Sequence, residues 1–271
     1  MSNRKVFCVI EQSGYKNTKY VEQHKKQFNN EYSDFYRLNF RYKDDPDAYL
    51  YKECSWIDGK NTVYNNVPKI YDYYIFIDDD IEFYEENTKN IDYNVAEKIS
   101  KLLQLYKPLY GTFLVDRVWS YKTDVVKALI NSNSNLVTQI CGNDECCCIM
   151  SESFASVLLP IKQTCSEWFR LFQFISYNLF PEKSMMFHSI KCCNTESLDI
   201  NTYDDNSSEV IYDLCRDEYK EKWKLLHKRN IQTHNKNIIK NNINKDPINF
   251  TFDILNKILD VSKYKLLKGV V

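Results

Sequence analysis

The sequence predicts an α/β fold, a mostly parallel sheet flanked by helices, and three observations predict it. Strand-like apolar runs alternate with segments of helical period through the first 115 residues, the order that βαβ units produce. One of those runs, residues 73–77 in "YDYYIFIDDDIEF", carries no charge on either face, as a strand covered on both sides must. It leads directly into Asp78, Asp79 and Asp80, at the strand end where α/β proteins place their ligands. At 271 residues, 27% charged and 44% hydrophobic, the chain can bury a sizeable core, and its composition excludes wholesale disorder.

The elements follow in order. Residues 5–11 read as a buried strand, 17–28 as a helix capped near Asn17, and 34–40 as an alternating strand. A short helix over 61–70 precedes the 73–77 strand. Residues 95–106 have apolar positions at three- and four-residue spacing and predict a helix, and 108–115 a strand. Residues 123–132 read as helix, 136–142 and 146–150 as strands, and 151–159 as a helix that Pro160 ends. A strong helix over 164–180 puts Trp168, Leu171, Phe172, Ile175 and Leu179 on one stripe, and 184–192 is strand-like. Residues 1–193 thus read as the main domain and the polar, acidic stretch 194–208 as a loop. Residues 209–271 read as a helical extension, with helices over 209–229 and 252–267 joined by an Asn/Lys-rich connector. The extension is expected to pack on the main domain, dock a partner or self-associate.

A formal net charge of −1 leaves no nucleic-acid footprint. No segment reaches 18 apolar residues, and the five-residue apolar run near the start is too short for a signal-peptide core, so the expectation is a cytoplasmic protein without a membrane span. Ten cysteines are present, but Cys146–Cys147–Cys148 and Cys192–Cys193 are contiguous and no paired C-x-x-C units occur. They read as reduced, buried thiols rather than a disulfide framework or zinc site.

Three like charges at the end of a buried strand repel one another and lose hydration, which calls for compensation. Strand alternation would turn Asp78 and Asp80 to one side and Asp79 to the other. Two hard carboxylates converging there suit Mn²⁺ or Mg²⁺, ions that take oxygen ligands and complete their shell with a diphosphate. Other motifs fit poorly: an EF-hand needs glycine where Phe83 stands, and five glycines in the whole chain leave no P-loop.

A hydrophobic strand ending in D-x-D about 75 residues into an α/β chain resembles the nucleotide-sugar-dependent glycosyltransferases of GT-A fold. A second match lies upstream. Those enzymes commonly carry a Gly-Arg-Asn helix before this strand, and Gly59, Lys60 and Asn61 stand there, with Lys in place of Arg. The resemblance is good for residues 5–83, looser to about 193 and absent beyond. It implies a Rossmann-like nucleotide-sugar half and a metal-dependent hexosyltransferase. The donor would be a nucleoside-diphosphate sugar, a UDP-sugar on family frequency, and the acceptor a glycan or other hydroxyl, with inversion more frequent than retention. It assigns Asp78, Asp80 and His188 to the metal. Glu11, Trp56, Lys60, Asn61, Asp78 and Asp79 go to the nucleotide sugar, with Trp56 and Tyr64 near the nucleotide as stacking aromatics. Glu167 falls at the position of the catalytic base, and Asp144 and Glu145 are competing acids at a turn.

Each assignment has a plainer reading. Thr164-Cys165-Ser166-Glu167 is also a capping box, in which Glu167 would serve a backbone N–H. His188 can be a strand histidine with one hydrogen bond, and His24, His227 and His234 carry no functional signal. A metal-dependent phosphohydrolase or nucleotidyltransferase would use the same acids, and a degenerate GT-A scaffold would serve as a binding module.

Overall fold

The computed structural model describes residues 5–16, 19–54, 56–85, 90–115, 137–140, 146–161, 168–194, 207–228 and 246–268. The helix expected over 123–132 lies outside them.

The N-terminal elements are β1 (Phe7–Ser13), α1 (Lys19–Phe28), β2 (Ser33–Asn39), the two-residue β3 (Leu50–Tyr51), α2 (Trp56–Asn66) and β4 (Tyr73–Asp78). They build the parallel part of the sheet, in the order β3-β2-β1-β4. The register sets Glu11 beside Arg37 on one side and Gln12 beside Asp78 on the other, so the C-terminal ends of β1 and β4 finish level. Helix α2 starts five residues before the segment the periodicity indicated, because Gly59 lets its first turn approach β1. A Cβ on Gly59 would lie 2.8 Å from both the Gln12 Cδ and a Leu38 methyl.

Next come β5 (Ile81–Tyr84), α3 (Val95–Tyr106), β6 (Tyr110–Val115), β7 (Val137–Gln139), β8 (Cys147–Ser151), α4 (Glu152–Leu158), α5 (Trp168–Leu179) and β9 (Ser184–Asn194). The expectation of a mostly parallel sheet holds only for the first half. Strand β8 runs antiparallel to both β4 and β6, β9 runs parallel to β6, and β5 and β7 pair antiparallel with β9. The reason is connective: β4 and β5 are joined by a two-residue turn, too short for a crossover, and β5 leaves β4 to pair with β9.

Two apolar layers sandwich the sheet. Phe7, Val9, Ile75 and Ile77 face α1 and α3, packing with Phe28, Ile99 and Leu103. Cys8, Ile10, Tyr74 and Phe76 face the opposite way, with Val63 and Tyr64 of α2, Phe154 of α4 and Phe172 of α5. The C-terminal segment joins this second layer through Trp223, Leu255, Ile258, Leu259 and Tyr264.

Both long helices expected in that segment are broken. The first divides into α6 (Ser207–Leu214) and α7 (Asp217–Lys228), the second into α8 (Phe252–Leu255) and α9 (Val261–Lys268). The breaks face each other and share hydrogen bonds: Arg216 N donates to the Ile258 carbonyl at 2.9 Å and Asp260 N to the Leu214 carbonyl at 2.8 Å. Pairing between distant segments replaces helical bonds and satisfies the groups that both breaks expose. At its end α9 grips α4, where the buried Lys268 ammonium donates to the carbonyls of Ser156 (3.1 Å) and Val157 (2.6 Å) and Tyr264 Oη to that of Leu158 (2.7 Å). A cation at a helix C-terminus is favoured by the dipole there, while burial lowers the Lys268 pKa to about 8. Among the described residues, no helix is long and apolar enough to cross a membrane.

Candidate functional site

The site is the edge where β1 and β4 end. Asp78 is the last residue of β4, and Asp79 and Asp80 form the turn into β5, so strand alternation does not extend to Asp80. Asp78 turns toward α2, where its Oδ1 stands 3.5 Å from the Lys60 Nζ; the Lys60 side chain is 1% exposed and that of Asp78 19%. Asp79 turns to the α1 face and accepts a hydrogen bond from the Ser13 hydroxyl.

Ser13 belongs to a buried charged network that sequence reasoning missed. Arg37 donates to Glu11 from Nη1, to Ser13 Oγ (2.9 Å) and the Tyr15 carbonyl (2.8 Å) from Nη2, and to Asp45 Oδ2 (3.2 Å) from Nε. Asn39 Nδ2 also donates to Asp45 Oδ2, at 2.7 Å. Both Glu11 oxygens are taken, one by Arg37 and the other by His24 Nδ1, and Glu11 is fully buried. Its carboxylate therefore supports the site from beneath.

Burial raises the Asp79 pKa to about 6; the Ser13 hydrogen bond lowers it, Glu11 and Asp80 raise it further, and Arg37 lowers it. The folded state therefore holds the Asp79 proton more tightly than the unfolded chain, whose value is near 3.8. The Asp79 contribution to stability falls as pH rises from about 4 to 6 and then levels off. Asp79→Asn should remove that loss, about 1–2 kcal/mol after allowance for partial exposure. By thermal denaturation of the metal-free protein, the variant should melt about 3–6 °C above wild type at pH 7.5 and converge with it near pH 4. A gap that widens on acidification would refute the assignment.

The other residues singled out from sequence divide. Asn61 clamps the backbone of Ile161, donating to its carbonyl at 2.6 Å and accepting from its N–H at 3.1 Å. Tyr64 is a core residue, edge-on to Tyr74 at 5.0 Å. Trp56 opens α2. His188 is buried on β9 with its Nε2 3.0 Å from Thr138 Oγ1. Among the described residues, no three His, Cys, Asp or Glu side chains gather to hold a metal ion. Asp144, Glu145 and Glu167 lie outside the described residues, as does the start of the helix expected over 164–180.

Gln12 lies one residue past the strand that the apolar run of residues 5–11 indicates, so no sequence signal marks it. It lies level with Asp78 beneath the first turn of α2, 1% exposed, and both carboxamide atoms lack a hydrogen-bond partner among the described residues. A buried amide with donor and acceptor both open is costly unless something else satisfies it.

Asp78 and Asp80 are hard oxygen donors of the kind divalent cations such as Mn²⁺ and Mg²⁺ take, and among the described residues they form no all-protein cage.

No family model matches the sequence, and no curated protein matches it. Solved structures do. GalNAc-T7, crystallised with UDP, GalNAc and Mn²⁺, is similar over 82% of this chain with a TM-score of 0.55 and 11% identity. The chain spans 50% of that protein's length. S. aureus TarS (residues 1–349) is similar over 69% of this chain and 60% of its own, with a TM-score of 0.47 and 11% identity. The fold shared with GalNAc-T7 is of the GT-A type; among the described residues it is a mixed α/β sheet of nine strands flanked by helices.

Proposed function

We propose that the chain is a metal-dependent glycosyltransferase that moves a sugar from a nucleoside-diphosphate sugar, a UDP-sugar, to a hydroxyl of a glycan or other acceptor with inversion. The observation that carries this reading is the level ending of β1 and β4. It brings Asp78, the Asp79–Asp80 turn, the Lys60 ammonium and the open Gln12 carboxamide to one edge of the parallel strands. The fold shared with GalNAc-T7, whose crystal holds UDP and Mn²⁺, supports the choice of nucleotide and metal.

In this reading Asp78 and Asp80 hold Mn²⁺ or Mg²⁺, which supplies the positive charge that a departing diphosphate requires. Lys60 adds a fixed positive charge beside Asp78, held by α2 against the sheet. Gln12 offers an adjacent donor and acceptor to a ligand with the complementary pair, and its satisfaction contributes to binding. Glu167 takes the proton of the acceptor hydroxyl, and Asp144 and Glu145 are the next candidates.

Two measurements test the reading. With Mn²⁺ and a panel of UDP-sugars, UDP should be released in a metal-dependent reaction that an acceptor accelerates. Release of inorganic phosphate or a nucleoside monophosphate instead would identify a phosphohydrolase. UDP binding without any turnover would identify a binding module on the same scaffold. Glu167→Gln separates base from helix cap, because Gln still closes a capping box but takes no proton. The expected result is near-native melting and donor binding with turnover reduced at least roughly a hundredfold. Retained turnover would move the base to Asp144 or Glu145.

A further inference from the structure

We propose that His24, on α1, is a positioning residue for the aspartate turn, fixing how Asp79 and Asp80 are presented. The turn joins strands that are not paired with each other: β4 lies between β1 and β8, whereas β5 pairs with β9. Its geometry therefore depends on what ties β5 back toward β1. His24 makes that tie with both ring nitrogens. Nε2–H donates to the Ile81 carbonyl at 2.6 Å, and Nδ1 meets the Glu11 carboxylate of β1, whichever of the two carries the proton between them. Ile81 directly follows Asp80, and Glu11 is two residues from Ser13, whose hydroxyl holds Asp79.

The ring is fully buried among Phe28, Phe35 and Phe83, with centroids 6.2–6.4 Å away, which leaves it little room to leave either partner. Arg37 holds the other Glu11 oxygen, so the anchor on β1 is itself fixed. One helical turn further on, Gln27 serves the same strand more remotely. Its Nε2 donates to the Asp92 carbonyl at 2.8 Å and lies 3.4 Å from that of Phe83. The two side chains share a helix face, yet only His24 reaches a residue adjoining the aspartates. That contrast supplies an internal control.

The inference rests on the glycosyltransferase reading for its consequence but not for its geometry, so two readouts are needed. The first is amide hydrogen exchange over residues 79–84. The second is the Mn²⁺ concentration that half-saturates UDP binding, measured for wild type, His24→Phe and Gln27→Leu. Groups that orient metal-binding side chains typically matter about 10–100-fold in metal affinity. His24→Phe should accelerate exchange at the turn and raise the half-saturating Mn²⁺ at least about tenfold. Gln27→Leu should lower the melting temperature without moving the Mn²⁺ requirement. If His24→Phe does not fold, His24→Gln takes its place. Its carboxamide reaches one partner but not both, and the expected shift is about threefold in the same direction. Unchanged turn exchange in the His24 variant, or an equal Mn²⁺ shift in Gln27→Leu, would overturn the proposal. If wild type fails to bind UDP with Mn²⁺, the glycosyltransferase reading falls, and turn exchange alone decides the role of His24.

Discussion

Asp80→Asn is expected to remove transfer while leaving the metal-free fold intact, whereas Asp78→Asn should remove transfer and destabilise the protein. The two carboxylates stand in different surroundings. Asp80 lies in a turn beside Asp79, and removing one of several like charges relieves repulsion when no cation is bound. Asp78 instead faces the Lys60 ammonium, whose side chain is 1% exposed. Breaking a buried ion pair from one side costs about 3–5 kcal/mol, and the partial exposure of Asp78 reduces that to about 2 kcal/mol. Turnover should fall at least roughly 10²–10³-fold in both variants, the scale of lost charge stabilisation at a leaving group. Melting temperature should be level or higher in Asp80→Asn and lower by about 4–8 °C in Asp78→Asn. Equal melting of the two variants would contradict the role given to Lys60.

Truncation after Ser208 should yield aggregated protein rather than a smaller active enzyme. It strips Trp223, Phe250, Leu255, Ile258, Leu259 and Tyr264 from the layer on the α2 face. It also uncovers Phe174, whose ring packs against Trp223 at 5.4 Å, and Phe154, which packs against Phe250 at 4.8 Å. Each large apolar side chain contributes about 1.5–3 kcal/mol, so six together exceed much of a domain's net stability of about 5–15 kcal/mol. Size-exclusion chromatography checks this outcome. A monodisperse, active truncation product would show that the C-terminal segment serves another purpose, such as docking a partner.

What the sequence revealed depended on local pattern. The charge-free run before the aspartates marked β4, and the apolar spacing of 95–106 marked α3, because each is a short-range signal of burial. Strand β5 escaped notice because "IEFY" is only four residues long, and its pairing with β9 lies more than a hundred positions away. The paired helix breaks near Cys215 and Leu259 are equally non-local, since each is satisfied by the other. The site was legible where like charges sat against the hydrophobic pattern. It was illegible where opposite charges neutralise one another inside: Glu11, Arg37 and Asp45 read as ordinary strand and loop residues until the register places them together. Resemblance alone placed Glu11 and Asn61 on the nucleotide, and their hydrogen bonds here go to His24 and Arg37 and to Ile161.

In the function proposed, the aspartates at the end of β4 would hold a divalent cation and, through it, a nucleoside diphosphate. Titration calorimetry of UDP into metal-free protein, repeated with Mn²⁺ and then with Asp80→Asn, tests it most directly. Binding to wild type should require Mn²⁺ and be lost in the variant. UDP binding that is indifferent to both Mn²⁺ and Asp80, or no binding under any of these conditions, would contradict it.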